Sequence, residues 1–158
     1  MNTGLTEFDC HRNKLTSIDV SKNSKLYKIS CGANLLTMLD ASNNKGLSVL
    51  YCYQNQIKDD AMDALIESLP SINGNIYVIW SEDEQNVMTA DQVDAAKAKG
   101  WSPYYYDGSN WLEYEGNPDG IVSPIGEMED RAVYSLSGLR IGKPQKGINI
   151  VNGRKFAY

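Results

Sequence analysis

Leucine or isoleucine stands at Leu5, Leu15, Leu26, Leu36, Leu47 and Ile57, and asparagine at Asn13, Asn23, Asn34, Asn44 and Asn55. The steps alternate between 10 and 11 residues, so the true unit is 21 residues built from two similar halves. Nothing else in the chain constrains its fold so tightly. One such unit cannot bury its own apolar face, so its neighbours must stack on it. Two further columns, Phe8, Ile18, Ile29, Leu39, Leu50 and Cys10, Val20, Cys31, Ala41, Cys52, keep the same spacing. Pairs such as Phe8 and Cys10 alternate with period two, which puts both side chains on one face of a strand. The asparagine that follows can turn its amide onto the backbone of the next bend. Stacked at a fixed period, these side chains are expected to form a hydrogen-bonded ladder.

The three cysteines, Cys10, Cys31 and Cys52, fall in one inward column. Adjacent strands lie about 4.8 Å apart, beyond the ~3.5–4.5 Å between Cβ atoms that a disulfide prefers. A straight row cannot surround zinc tetrahedrally either. Free, buried thiols packing as small hydrophobes are expected.

The motif LxxLxCxxN, repeated over residues 5–57, resembles the leucine-rich repeat family in its bacterial 21-residue form with a nested half-period. The resemblance implies a parallel-stranded solenoid whose open strand face is used for binding. No cap precedes Leu5, so either further units lie upstream or the first unit is exposed at its end. Met1-Asn2-Thr3 leads almost directly into the pattern, and an export signal is expected to have been removed or never encoded.

Beyond the pattern, residues 59–69 place Met62, Leu65, Ile66 and Leu69 on one helical stripe, with Asp59 and Asp60 at its positive end. Residues 75–80, "NIYVIW", read as a strand. In "MTADQVDAAKAKG", Thr89 and Gln92 make a capping box, Met88 and Val93 a hydrophobic staple, and Gly100 a C-terminal stop. "WSPYYYD" reads as a further strand, and "DGSNWLEYEG" as a turn into a short antiparallel edge. Strands alternating with helices suggest that the sheet is continued by two longer units. Residues 116–130, with prolines, glycines and no apolar period, are expected to be a linker.

The tail, 131–158, shows three short strand candidates separated by Ser137-Gly138, residues 144–147 and the hairpin signal Asn152-Gly153. Residues 133–138, 146–151 and 153–156 resemble a shortened C-terminal sorting domain of the type IX secretion system of Gram-negative anaerobes. That resemblance implies a secreted or outer-surface location. The expected fold class is therefore α/β: a short leucine-rich-repeat solenoid with parallel strands (1–58), capped by βα units (59–115), then the linker and a small β-hairpin tail (131–158).

Charge is segregated along the chain. Residues 1–58 hold 7 basic and 4 acidic side chains, net +3; residues 59–130 hold 2 and 16, net −14; residues 131–158 hold 6 and none, net +6. So acidic a middle repels phosphate, and the basic ends carry no nucleic-acid motif, which argues against nucleic acid as a partner. Attraction between these blocks is expected to orient the tail on the acidic region, with Val133, Leu136, Ile148 and Ile150 making the contact. No run of 18 apolar residues exists to span a membrane.

Candidate functional residues lie on the outward columns Glu7, Lys28, Val49; Asp9, Ser30, Tyr51; and His11, Gly32, Tyr53. Asp9, the single histidine His11 and Ser30 contain the residue types of a hydrolase triad. An open strand face offers no oxyanion hole, so a solvated polar face is the expected role. The sequence "DGSN" at 107–110 reads as a turn in preference to a calcium ligand set, and no cofactor or metal motif is present. Tyr51 and Tyr53 point away from the core, and Trp111 lies in the cap with Tyr104, Tyr105 and Tyr106. Tyrosine and tryptophan are enriched at binding hot spots. The expected function is non-catalytic binding of a protein ligand, with Tyr51, Tyr53, Asp9, His11, Lys28 and Trp111 in the site. The alternative is glycan binding by the Tyr/Trp cluster.

Overall fold

The computed structural model describes residues 2–80, 84–117 and the backbone of four strands in the tail. The chain divides into two compact units, Met1–Pro124 and Ile125–Tyr158. The first is α/β and runs β1 (Glu7–Asp9), β2 (Lys28–Ser30), β3 (Val49–Tyr51), α1 (Asp60–Ser68), β4 (Gly74–Ile79), α2 (Ala90–Ala98), β5 (Trp101–Tyr106) and β6 (Trp111–Glu113). Its strands make one open six-stranded sheet in chain order. The first five strands are parallel, and β6 closes the row antiparallel to β5.

The 21-residue spacing sets the register of the first three strands. Glu7 pairs with Lys28 and Lys28 with Val49; Phe8, Ile29 and Leu50 align, as do Asp9, Ser30 and Tyr51. After each strand the chain bends through a left-handed residue: Arg12 (φ 54°), Ala33 (φ 54°) and Gln54 (φ 51°). A side chain in that region costs about 1–2 kcal/mol. The following asparagine offsets the strain. Asn34 Nδ2 donates to the carbonyls of Cys10 and Cys31, both at 3.0 Å, while its Oδ1 accepts from Leu15 N at 3.0 Å. Asn55 repeats this on Cys31, Cys52 and Leu36. Both asparagines are buried, and their bonds satisfy backbone groups that water cannot reach.

Leu26, Ile29, Leu36, Leu47, Leu50 and Ile57 are completely buried. The equivalent residues of the first 21-residue stretch are not: Leu5, Phe8 and Ile18 are half-buried, and Leu15 is 36% exposed. All three cysteines are free, but only Cys31 and Cys52 are buried. Cys10 is half-buried, because its strand lies at the edge of the described sheet with no neighbour beyond it. Burial raises the pKa of all three thiols, most strongly for Cys31 and Cys52.

The asparagine ladder continues into the helical region at Asn86, which was not foreseen. Its Nδ2 donates to Cys52 O (2.8 Å) and Val78 O (2.9 Å), and its Oδ1 accepts from Ile57 N (2.9 Å). Around this junction α1 buries the expected stripe, Met62, Leu65, Ile66 and Leu69. The capping box of α2 is formed by Thr89 and Gln92, and Gln92 also donates to Asp63 on α1 at 2.7 Å. Lys99 places its ammonium on the carbonyls of Ile66 and Glu67 at the C-terminal end of α1, where a cation is favoured. Gly100, at φ 88°, ends α2 as expected. Trp101 is buried, and its indole N–H reaches Pro70 O at 2.8 Å.

Gly116 and Asn117, expected at the start of a linker, instead belong to the first unit. Asn117 N donates to Met88 O at 2.9 Å, and the residue bridges to Thr89 in parallel. The rest of the expected linker lies outside the described residues. In the second unit the strands are β7 (Val133–Ser135), β8 (Arg140–Ile141), β9 (Ile148–Val151) and β10 (Arg154–Ala157), in the antiparallel order β10-β9-β7-β8. The three separators leave four strands, where three were expected. β9 and β10 pair from Val151 and Arg154 outward, the pairing that a hairpin at Asn152-Gly153 requires. Contacts expected from tail side chains lie outside the described residues. No described helix is long and apolar enough to cross a membrane.

Candidate interaction face

The outward columns of the sheet grade from charged to aromatic. On β1 and β2 the ammonium of Lys28 lies 3.6 Å from Glu7 Oε2 and 5.9 Å from the centre of the Tyr51 ring. That distance is within reach of a cation–π contact. Glu7 also accepts a hydrogen bond from the Tyr27 hydroxyl. His11 Nδ1 lies 2.7 Å from Asp9 Oδ1, and the His11 backbone N–H donates to the same oxygen. These bonds hold Asp9 below the usual carboxylate range. Ser30, in register with Asp9, is 8% exposed, and no hydrogen bond joins it to His11 among the described residues.

From β3 onward the same face is built of stacked rings. One row runs Tyr51, Tyr77 and Tyr104, which the strand register aligns. Its ring centres are 4.2 and 5.2 Å apart, with planes within 5° and 21°. The second row runs Tyr53, Trp80 and Tyr106, at 4.8 and 4.3 Å. Gly32 begins this row without a side chain, because a Cβ there would come within 2.7 Å of the Tyr53 ring. All these rings are half-buried. Trp111 joins the two rows. Its ring is edge-on to Tyr51, Tyr77 and Trp80 and tilted against Tyr53 and Tyr106, at 4.9–6.3 Å between centres.

Simple alternation in "NIYVIW" would put Ile79 beside Tyr77 on this face. The register shifts between them, so that Tyr77 faces Tyr104 but Ile79 faces Tyr105. Val78 and Ile79 are both buried as a result, and Trp80 emerges in line with Tyr53 and Tyr106. One extra residue has re-aimed the strand, as a bulge does. The displaced Val78 carbonyl is taken up by Asn86.

The site expected from the sequence is thus brought together in part. Tyr51, Tyr53 and Trp111 share one cluster, with Lys28 at its margin against Tyr51. Asp9, at the end of β1, pairs with His11 just after it, apart from the rings. Tyr77 and Trp80 were missed, although they contribute a ring to each row. The run 104–106 divides: Tyr104 and Tyr106 join the face, while Tyr105 meets Tyr114 edge-on at 6.1 Å. Asp107 accepts the N–H groups of Ser109 and Asn110, both at 2.7 Å, so its carboxylate serves the turn before β6.

Below the tyrosine row, at the N-terminal ends of β3–β5, an open depression of about 370 Å³ is lined by Ser48, Val49, Asn73, Gly74, Asn75, Gly100 and Ser102, none of them ionisable. At the other end of the rows lies Glu84. Its Oε2 accepts from Gln54 N (2.7 Å) and Trp80 N (2.8 Å), and its Oε1 from Gln85 N (3.0 Å) and Asn86 N (2.8 Å). Burial pushes its pKa up to about 7, against the pull of those four donors. No group of acidic, histidine and cysteine residues placed to hold a metal occurs among the described residues.

Comparison with protein-family models, with curated proteins and with solved structures finds no match.

Proposed function

We propose that this chain is an exported leucine-rich-repeat module, a short solenoid with a βα cap, that binds a protein ligand on its aromatic strand face without catalysis. The observation that carries the reading is the pair of half-buried ring rows joined by Trp111. A soluble surface seldom concentrates large rings unless they meet something, and tyrosine and tryptophan dominate the energetics of protein interfaces. The stacking fixes each ring in advance, which lowers the ordering cost on binding. Lys28, Glu7, Asp9 and His11 would form a charged margin that orients the partner. Export to the cell surface rests on the tail's resemblance to a sorting domain.

A second reading, glycan binding, is favoured by the uncharged depression beside Tyr51, Tyr77 and Tyr104. Against it, rings stacked on one another leave few faces free for a sugar ring.

The test is capture from surface and host extracts on the immobilised chain, beside a chain carrying Tyr77→Ala and Trp80→Ala. A protein retained by the first and lost by the second supports the primary reading. Equal capture by both overturns it. Quenching of tryptophan emission by neutral oligosaccharides, with no protein captured, selects the glycan.

A further inference from the structure

Among the described residues, Glu84 accepts four backbone N–H groups and no side-chain donor. Two of them lie at the points from which the second ring row is hung. Gln54 directly follows Tyr53, and Trp80 is itself the middle ring. Only an ionised carboxylate has acceptor sites for four donors and no proton of its own in the way. A proton on either oxygen would point at N–H groups, so at least one of the four bonds must part.

We propose that Glu84 is the positioning residue of the aromatic face. Its carboxylate fixes the backbone under Tyr53 and Trp80, and taking up a proton there loosens their stacking. The proposal rests on the reading of that face as the interaction surface and adds its regulation by pH. Among the described residues, Glu84 acts on the ionisable groups of Cys52, after β3, and Tyr114, after β6. Burial raises both, Tyr114 to about 12, so neither carries charge near neutrality. No cation contributes to the shift of Glu84, which burial alone drives upward to about 7. The carboxylate therefore changes charge within the physiological range, while Cys52 and Tyr114 beside it stay neutral.

Histidine ordinarily titrates in the same window, so the experiment uses a His11→Gln background. Near-ultraviolet circular dichroism, which reports the stacked rings, is followed between about pH 5 and 9, with far-ultraviolet signal as the control. The expected result is one transition near pH 7 in the ring signal, with constant far-ultraviolet signal. Glu84→Gln, whose amide nitrogen must face N–H donors, should give a flat profile fixed in the low-pH form. Should that variant not fold, the backbone amide resonances of Gln54 and Trp80 in the unmodified chain serve instead, and both should move with the same midpoint. A flat ring signal with stationary amides, or a transition that survives in Glu84→Gln, would overturn the proposal. Neither readout needs a partner, so failure here leaves the interaction reading untouched, and failed capture leaves the Glu84 coupling untouched.

Discussion

The segment up to Ile57 and the segment from Lys58 to Asn117 contribute to the same sheet by different means. The first contains strands of three residues and no helix, and returns from strand to strand by tight bends. The second has two strands of six residues, β4 and β5, each reached through a helix, before a turn into the three-residue β6. Yet the register passes from Tyr51 to Tyr77 to Tyr104 without a break. A sheet does not require equal returns; it requires that each return deliver the next strand in register and satisfy the backbone groups it exposes. In the first segment asparagines do this. In the second, helix packing takes over, but one asparagine, Asn86, still stands where the two meet.

Removing the amide on either side of the junction is the strongest way to break that comparison. Asn55→Ala leaves Leu36 N–H without its acceptor and takes one of two amide donors from each of the Cys31 and Cys52 carbonyls, while Asn86→Ala takes the amide partners of Ile57 N–H and the Val78 carbonyl. At about 1–3 kcal/mol for each unsatisfied group, a loss of about 2 kcal/mol or more is expected from each, read by urea denaturation. Similar losses at both positions would show one continuous ladder. A small loss at Asn86 would show that the helices alone hold the second segment.

The pH dependence of stability separates the segments next. Glu84 has a folded pKa of about 7, raised from 4.5. Its contribution is complete below about pH 4.5 and is lost as the pH rises through about 7, on the order of 3 kcal/mol at most. Asp9 and Asp40, in the first segment, are lowered below 3.8 by their hydrogen bonds to His11 and Ser42. Their contribution is present above that value and is lost as the pH falls through the folded one. Stability should therefore peak on the acid side of neutrality. In Glu84→Gln the decline between about pH 4.5 and 7 should disappear, as thermal melts across that range would show.

How far these features could be read from the sequence depended on whether they obey a period. Tyr51, Tyr53 and the buried Cys31 and Cys52 were legible because each sits at a fixed distance from its counterparts. Trp80 and Asn86 were not. The extra residue in β4 shifts Trp80 out of simple alternation, and Asn86 follows Asn55 by a longer interval than any asparagine step before it. Glu84 gave no signal, since its role comes from four backbone donors that lie up to 30 residues from it. The helices were legible from local signals alone, namely the stripe of α1 and the capping box of α2. The exposure of Phe8, Cys10 and Leu15 depends on what lies beside β1, which their identity does not encode.

A smaller effect tests the bends. Ala33 occupies a left-handed position that glycine adopts freely. Ala33→Gly should stabilise the chain by about 0.5–1 kcal/mol, once the greater freedom of glycine in the unfolded state is set against the strain removed. The same exchange at Ala96, inside α2, should destabilise by about 1 kcal/mol or more. Opposite signs at the two alanines would mark the two ways of returning a strand.

The central claim is that both segments build one interaction face. It is tested most directly by measuring the affinity of a captured protein partner for two single variants, Tyr51→Ala from the first segment and Tyr104→Ala from the second. The exposed Leu35→Ala and Met38→Ala, off the strands, serve as controls. The account predicts a loss of about tenfold or more for each tyrosine, and little change for the controls. Unchanged affinity in both tyrosine variants, with loss in Leu35→Ala or Met38→Ala, would place the partner elsewhere and contradict it.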